Sequence, residues 1–318
     1  MSSKTKDIIL RAFRISIGDT KVSNAVNIFD DLKVKLGGFE SSSDRCMILN
    51  PTDPNNEKDL ISDYHEVIIP KSFFCTMLRI VPGEDAQHIP DELLEQKKFS
   101  MDEVEELQES HNLPNLCKES FYFSTCGHYL VTNLRGNKTI KDLQTYLSWL
   151  LGNDLLILTP MVNIPDDIPM QDISNITFSD GYIDSSFEGE VVKTQSSQTR
   201  SFNLKNMAAS IIDDLFGDTQ DLSDIDLERI IEANLIVKWS KPKDMSKEEY
   251  EKVMGAMIKP VADLEGMTIK PKKGRLIRGE EIPKTKVVKV AHTSSGKIVE
   301  MGLQQEMSKF LNELNQSK

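Results

Sequence analysis

Lysine and arginine side chains are bunched late in this sequence, in a pattern suited to binding phosphate. Between Ile236 and Lys297 there are 15 Lys and Arg against 8 Asp and Glu. That is a net of +7 in a chain whose formal charge is −12, which leaves −19 outside the window. Three groups carry most of the excess. Lys238, Lys241 and Lys243 surround Trp239; Lys270, Lys272, Lys273, Arg275 and Arg278 fill a short segment with Pro271 and Gly274; Lys284, Lys286 and Lys289 are interleaved with Val287, Val288 and Val290. Ammonium and guanidinium groups so placed meet nucleic-acid phosphates and release counterions, which requires no reading of base edges. On a strand, Lys284 and Lys286 share a face and Lys289 takes the other. Arg135, Lys138 and Lys141 form a lesser basic patch. A solvated edge strand, where lysines discourage aggregation, is the competing account of the same residues.

Other constellations are weaker. Asp166, Asp167, Asp180, Asp184, Glu188 and Glu190, with Lys193 nearby, are carboxylates from which a magnesium-dependent nuclease could draw. The spacing Glu190-Val-Val-Lys193 has one residue too many for the E-x-K pairing of restriction-type nucleases, and Asp180-Gly181 reads as an ordinary turn. His111, Cys117, Cys126 and His128 are close in sequence but fit no zinc module. No P-loop, nucleophile elbow, H-E-x-x-H or Rossmann glycine run is present, and the five histidines pair with no obvious nucleophile. No catalytic residue, metal or cofactor is therefore assigned. The four cysteines form no C-x-x-C pair, which suits buried thiols in a reducing compartment. Met1-Ser-Ser-Lys-Thr-Lys leads into Asp7-Ile-Ile-Leu-Arg without an apolar stretch, and no run of about 18 apolar residues follows. A cytoplasmic location is expected.

The elements that must carry these residues are short strands mixed with single helices. Ile8–Ile17 alternates as a strand, and Val26, Phe29, Leu32 and Leu36 give a helical face over Ser23–Leu36, stopped by Gly37-Gly38. Arg45–Leu49, Glu66–Ile69 and Phe73–Val81 read as strands. The stretch 84–109 holds ten acidic residues, with Lys97 and Lys98 its only basic ones, and Ser100-Met-Asp-Glu caps a short helix. Phe121-Tyr-Phe-Ser and Tyr129-Leu-Val-Thr flank Thr125-Cys-Gly-His as a β-hairpin. Thr139 with Asp142 opens a helix striped by Ile140, Leu143, Leu147, Leu150 and Leu151, ended by Gly152, before a strand over Leu155–Val162.

Further on, Ile173–Phe178, Phe187–Lys193 and Leu235–Trp239 read as strands. Asn203–Phe216 reads as a helix, and Leu227–Ala233 as either. Ser246-Lys-Glu-Glu caps a helix broken at Lys259-Pro260. The last helix, Leu303–Leu314, shows Leu303, Met307, Phe310, Leu311 and Leu314 on one face, as core or as a dimer seam. The order predicts an α+β protein of two domains, with mixed, mainly antiparallel sheets and flanking helices. Residues 1–165 form the first domain, with the acidic segment 84–109; residues 166–318 form the second, with the basic segment 236–297.

Over roughly Glu119–Lys297 the order of features resembles the RexA-like phage exclusion proteins. The resemblance is carried by Phe121-Tyr-Phe-Ser, a glycine turn, Leu130-Val-Thr, a Gly-Asn-Lys-Thr loop, the amphipathic helix and Leu155–Val162. It continues through Asp213-Asp-Leu-Phe-Gly-Asp, Leu235-Ile-Val-Lys-Trp-Ser-Lys-Pro-Lys and Ser294-Ser-Gly-Lys-Ile. It implies a dimeric two-domain α+β protein that binds double-stranded DNA without marked sequence preference. It further implies a role in abortive infection, working with a membrane partner encoded beside it. A non-enzymatic duplex binder of a phage-defence system is thus the expectation. A metal-dependent nuclease effector is one alternative. Another is an interaction scaffold in which the acidic face of one copy covers the basic face of the next.

Overall fold

The alternation expected over Ile8–Ile17 belongs to a longer strand, β1 (Lys4–Ile17), around which the larger sheet is assembled. The computed structural model describes residues 4–18, 24–49, 57–80, 91–104, 106, 119–134, 137–163, 173–179, 234–238, 245–258, 267–271, 275–278, 281–293 and 298–316. These form an α+β fold whose strand pairs are all antiparallel.

After β1 come β2 (Asn24–Ala25), α1 (Phe29–Gly38), β3 (Met47–Ile48), β4 (Lys58–Val67), β5 (Ser72–Ile80) and α2 (Asp91–Glu95). Next are β6 (Glu119–Cys126), β7 (Tyr129–Thr132), α3 (Asn137–Leu151) and β8 (Leu156–Pro160). Then follow β9 (Ile173–Ser179), β10 (Asn234–Lys238), α4 (Lys247–Ile258), β11 (Met267–Pro271) and β12 (Ile277–Arg278). The series closes with β13 (Thr285–His292) and α5 (Glu300–Gln316). Contacts divide the chain into one unit of Met1–Met161 with Lys284–Lys318 and a second of Val162–Pro283. The first break lies close to the expected residue 165. The stretch 284–318, expected in the second domain, belongs instead with the first, because β13 pairs β1 from Lys4↔His292 to Arg11↔Thr285.

In the first unit the strand order is β13-β1-β7-β6-β5-β4-β3, with β2 and β8 also on β1. Successive residues of β1 serve opposite faces: Ile8, Leu10 and Ala12 pack with α5, while Phe13 and Ile15 pack with α1 and α3. Because helices cover both faces, every residue of β5 is buried. The stripe Leu303, Met307, Phe310, Leu311 and Leu314 is core, seated on β6, β7 and β13. The hairpin turns at Gly127-His128, with Gly127 at φ 59° and Cys126 opposite Tyr129. α3 ends as expected at Gly152, φ 64°. The Asn153 N–H donates to Ser148 O at 2.8 Å and the Gly152 N–H to Trp149 O at 3.1 Å, the paired bonds of a Schellman end.

Several elements differ from expectation. α3 starts at Asn137, which puts Thr139 inside the helix rather than at its cap, and the strand expected over Arg45–Leu49 is confined to Met47–Ile48 after a 3-10 turn at Ser43–Arg45. The first helix begins at Phe29 rather than Ser23, since Asn24 and Ala25 pair with Ile17 and Ser16 and the Asn27 carboxamide oxygen accepts the Phe29 N–H. Of the strand expected at Glu66–Ile69, Glu66 and Val67 end β4, which starts at Lys58, while Ile68 and Ile69 stand exposed in the turn that follows. The buried positions of β4 include Asp59, Ser62 and Asp63, so apolar alternation does not mark it.

In the acidic segment, Leu93, Phe99, Met101 and Val104 are buried with Leu60, Leu78 and Ile80. The Ser100–Glu103 cap is formed: the Ser100 N–H and hydroxyl donate to Glu103 Oε2 at 2.7 and 2.9 Å, and the Glu103 N–H returns to Ser100 Oγ at 3.3 Å. The second unit holds a four-stranded sheet, β10-β9-β11-β12, with Ile269 and Ile277 buried. The Ser246–Glu249 cap opens α4 in the same reciprocal way. The elements expected at 187–193, 203–216 and 227–233 lie outside the described residues.

Candidate nucleic-acid interface

The small sheet gathers three of the expected cations by register. Lys238 of β10 and Lys270 of β11 both pair with Asn175 of β9, so the three positions form one cross-strand row. Two residues along, Ile236, Thr177, Thr268 and Arg278 form the next row of the same parity. The intervening positions Ile269 and Ile277 are buried, whereas Lys270 and Arg278 are exposed, so both stand on the solvent side of β11 and β12. Inter-strand spacing puts the Lys238 and Lys270 backbones about 10 Å apart.

The other expected cations separate into several fates. Arg275 is exposed, but its Nη1 lies 2.8 Å from both oxygens of Glu281, and Glu281 also accepts the Arg278 backbone N–H at 3.2 Å. Those bonds, the Arg275 side chain first, hold the Glu281 carboxyl below its ordinary range. In the first unit, Lys286 of β13 turns toward α5 and pairs with Glu313 at 2.5 Å, its Nζ 5.8 Å from the centre of the Phe310 ring. Lys289 is exposed on the opposite face, opposite Asp7 on β1, as strand parity predicts; Lys284 is half-buried. Lys141 is exposed in the first turns of α3, and Lys138 lies in the same helix. Arg135, Lys241, Lys243, Lys272 and Lys273 lie outside the described residues, as do the nuclease carboxylates, Lys193, His111 and Cys117. The eleven cations of the main group are thus divided, Lys238 to Arg278 in the second unit and Lys284, Lys286 and Lys289 in the first. Among the described residues no group of three or more His, Cys, Asp or Glu side chains is placed to hold a metal ion.

Three polar networks escaped the pattern reading. The fully buried Arg45 donates to the carbonyls of Ile61, Ser62 and Ser41, and burial lowers its pKa. Tyr146 clamps the same region: its hydroxyl donates to Arg45 O at 2.8 Å and accepts the Ile61 N–H at 3.1 Å, while burial pushes its own pKa upward. Arg79 grips Asp59 through two bonds of 2.8 Å, with Asp142 at 3.2 Å, and the Asp59 bonds raise the guanidinium pKa. The third network is a transverse row in which Asp63 pairs with Thr76 and Thr76 with Tyr122, beneath the start of α5. There the Thr76 hydroxyl donates to Glu300 Oε1 at 3.2 Å, and Tyr122 also hydrogen-bonds the Glu300 carboxyl. These groups stand far apart in sequence; polar residues inside otherwise apolar strands were their only local sign.

No protein-family model matches the chain, and no curated protein matches it. Among the described residues no helix is long and apolar enough to cross a membrane.

Proposed function

We propose that this chain binds duplex DNA through its backbone phosphates, without reading sequence and without catalysing a reaction. The observation that carries the proposal is the row of Lys238 and Lys270 across Asn175, with the exposed Arg278 one row further on. Basic residues whose backbones stand about 10 Å apart in one cross-strand row match roughly three base pairs of backbone charge, and neutralising those phosphates releases counterions. Lys289 is a further exposed cation on the first unit. The Arg275–Glu281 and Lys286–Glu313 pairs remove two members from the expected set, since a cation held by its own carboxylate gains less from phosphate. The resemblance to RexA-like exclusion proteins supports a cytoplasmic homodimer acting in phage defence, with a membrane partner encoded beside it.

A gel-shift titration on two unrelated duplexes, with and without magnesium, tests the proposal. Similar affinities that fall with salt, and intact DNA in both conditions, are expected. Cleavage in magnesium would make the chain a nuclease; no shift at micromolar protein would leave the interaction scaffold.

A further inference from the structure

Glu300 opens α5, the helix whose apolar stripe fills one face of the larger sheet. Its half-buried carboxyl lies over the row Asp63–Thr76–Tyr122. The Thr76 hydroxyl donates to it at 3.2 Å, and the Tyr122 hydroxyl bonds to it. Two more carboxylates stand close enough to repel it: Asp63 from β4 and Asp102 from the helical turn at 101–104. Among the described residues, the polar side chains of Lys98 and His65 near this cluster are bonded to Asp63 rather than to Glu300. Lys98 Nζ lies 3.3 Å and His65 Nε2 2.9 Å from Asp63, and among the described residues no ion pair reaches Glu300 itself. Ser120 bonds Tyr122 from β6, and the residues leading into the helix, Ile298 and Val299, are apolar.

We propose that the Glu300 carboxyl is a proton-operated catch: protonated, it seats the first turn of α5 on the sheet, and ionised, it loosens that turn. The loss of water around the carboxyl and the charges of Asp63 and Asp102 outweigh the Thr76 and Tyr122 hydroxyls, which favour the anion, so the neutral form sits here at the lower cost. Burial, ahead of those two charges, pushes the group up to about 7, so the change falls within the range a cell experiences. The catch also bears on the basic strand. The Val299 N–H donates to Ala291 O at 2.9 Å and Ile298 bridges His292, so the turn that Glu300 anchors is tied to the end of β13.

Amide hydrogen exchange of the full chain at pH 6 and pH 8, corrected for intrinsic exchange rates, tests the catch. In the wild type, protection over 299–306 should fall roughly tenfold between the two pH values, as expected for a carboxyl titrating near 7 when seated and in its ordinary range when released. Protection over 143–150 in α3 should be unchanged. Glu300→Gln, neutral at both pH values, should abolish the pH-dependent loss. An identical corrected pH dependence in wild type and variant would overturn the proposal. If the variant fails to fold, carboxyl-carbon NMR of the wild type decides: a Glu300 midpoint near 7 supports the catch, and one in the ordinary carboxylate range overturns it.

Discussion

Lys286 and Glu313 are locked together, Nζ to Oε1 at 2.5 Å, across the seam between β13 and α5. The lysine is thereby drawn to the helix side of the strand, over Phe310, and away from the face that carries Lys289. Lys286→Ala should change duplex affinity less than about twofold and cost under about 1 kcal/mol of stability, the range for ion pairs with an exposed partner. Fluorescence anisotropy and urea denaturation measure the two effects. A tenfold loss of affinity would return Lys286 to the interface.

Reversing charge on the small sheet should act differently. Lys238→Glu, Lys270→Glu and Arg278→Glu together should weaken binding by a similar factor on unrelated duplexes. The slope of log affinity against log salt should shrink by about 3, near 0.9 for each phosphate that the protein no longer neutralises. An unaltered slope would place the binding surface elsewhere.

The Asp59–Arg79 pair sets a stability expectation. With both side chains buried and two bonds of 2.8 Å between them, Asp59→Ala strands a guanidinium whose remaining partner is the less buried Asp142. A loss of about 3–5 kcal/mol follows. Replacing both partners, Asp59→Leu with Arg79→Met, should cost less than the single change. A double-mutant cycle by chemical denaturation reads the difference, and additive costs would show that the pair is not coupled.

Stability should also fall as pH rises from 5 to 8. The folded state holds the Glu300 proton up to about pH 7, while the unfolded carboxyl releases it near 4.5, so the folded state binds more protons across that window. The stabilisation is complete below the unfolded value and is lost as pH climbs through the folded one. With allowance for partial exposure and for a helix N-terminus that favours the anion, the fall is about 2 kcal/mol. Denaturant midpoints at pH 5, 6.5 and 8 should show it, and Glu300→Gln should flatten the trend. A wild-type midpoint that rises with pH would contradict the assignment.

Gly152→Ala isolates a backbone effect. At φ 64° with nothing within 4 Å of an added Cβ, the change meets no steric clash, only the left-handed penalty of about 1 kcal/mol. A thermal shift of opposite sign would mean that α3 does not end in this conformation.

What could be read from the chain without coordinates was local. The hairpin at Gly127, the Schellman end at Gly152, the reciprocal caps at Ser100 and Ser246 and the stripe of α5 are each determined by residues within a few positions of one another. Strand β4 was hidden because Asp59, Ser62 and Asp63 are buried by pairing with distant groups, which apolar periodicity does not register. The unit boundary was half visible: Pro160 and Pro165 flank the first crossing, but the return at Lys284 depends on the pairing of β13 with β1, nearly the length of the chain away. The same holds for the candidate interface. The excess of cations is plain in composition, yet only the register on β9 joins Lys238 to Lys270, and only α5 shows which way Lys286 turns.

The pairing of β1 with β13 sets an order for biosynthesis. As the polypeptide leaves the ribosome, residues 4–11 emerge well before 285–292 and wait for them before that ladder can close. The whole of Val162–Pro283 is made in the interval and is free to acquire its own sheet meanwhile. A message cut short before Thr285 would release a product with Ile8 and Leu10 exposed along an open strand, a target for chaperones or for aggregation rather than a smaller version of the same protein.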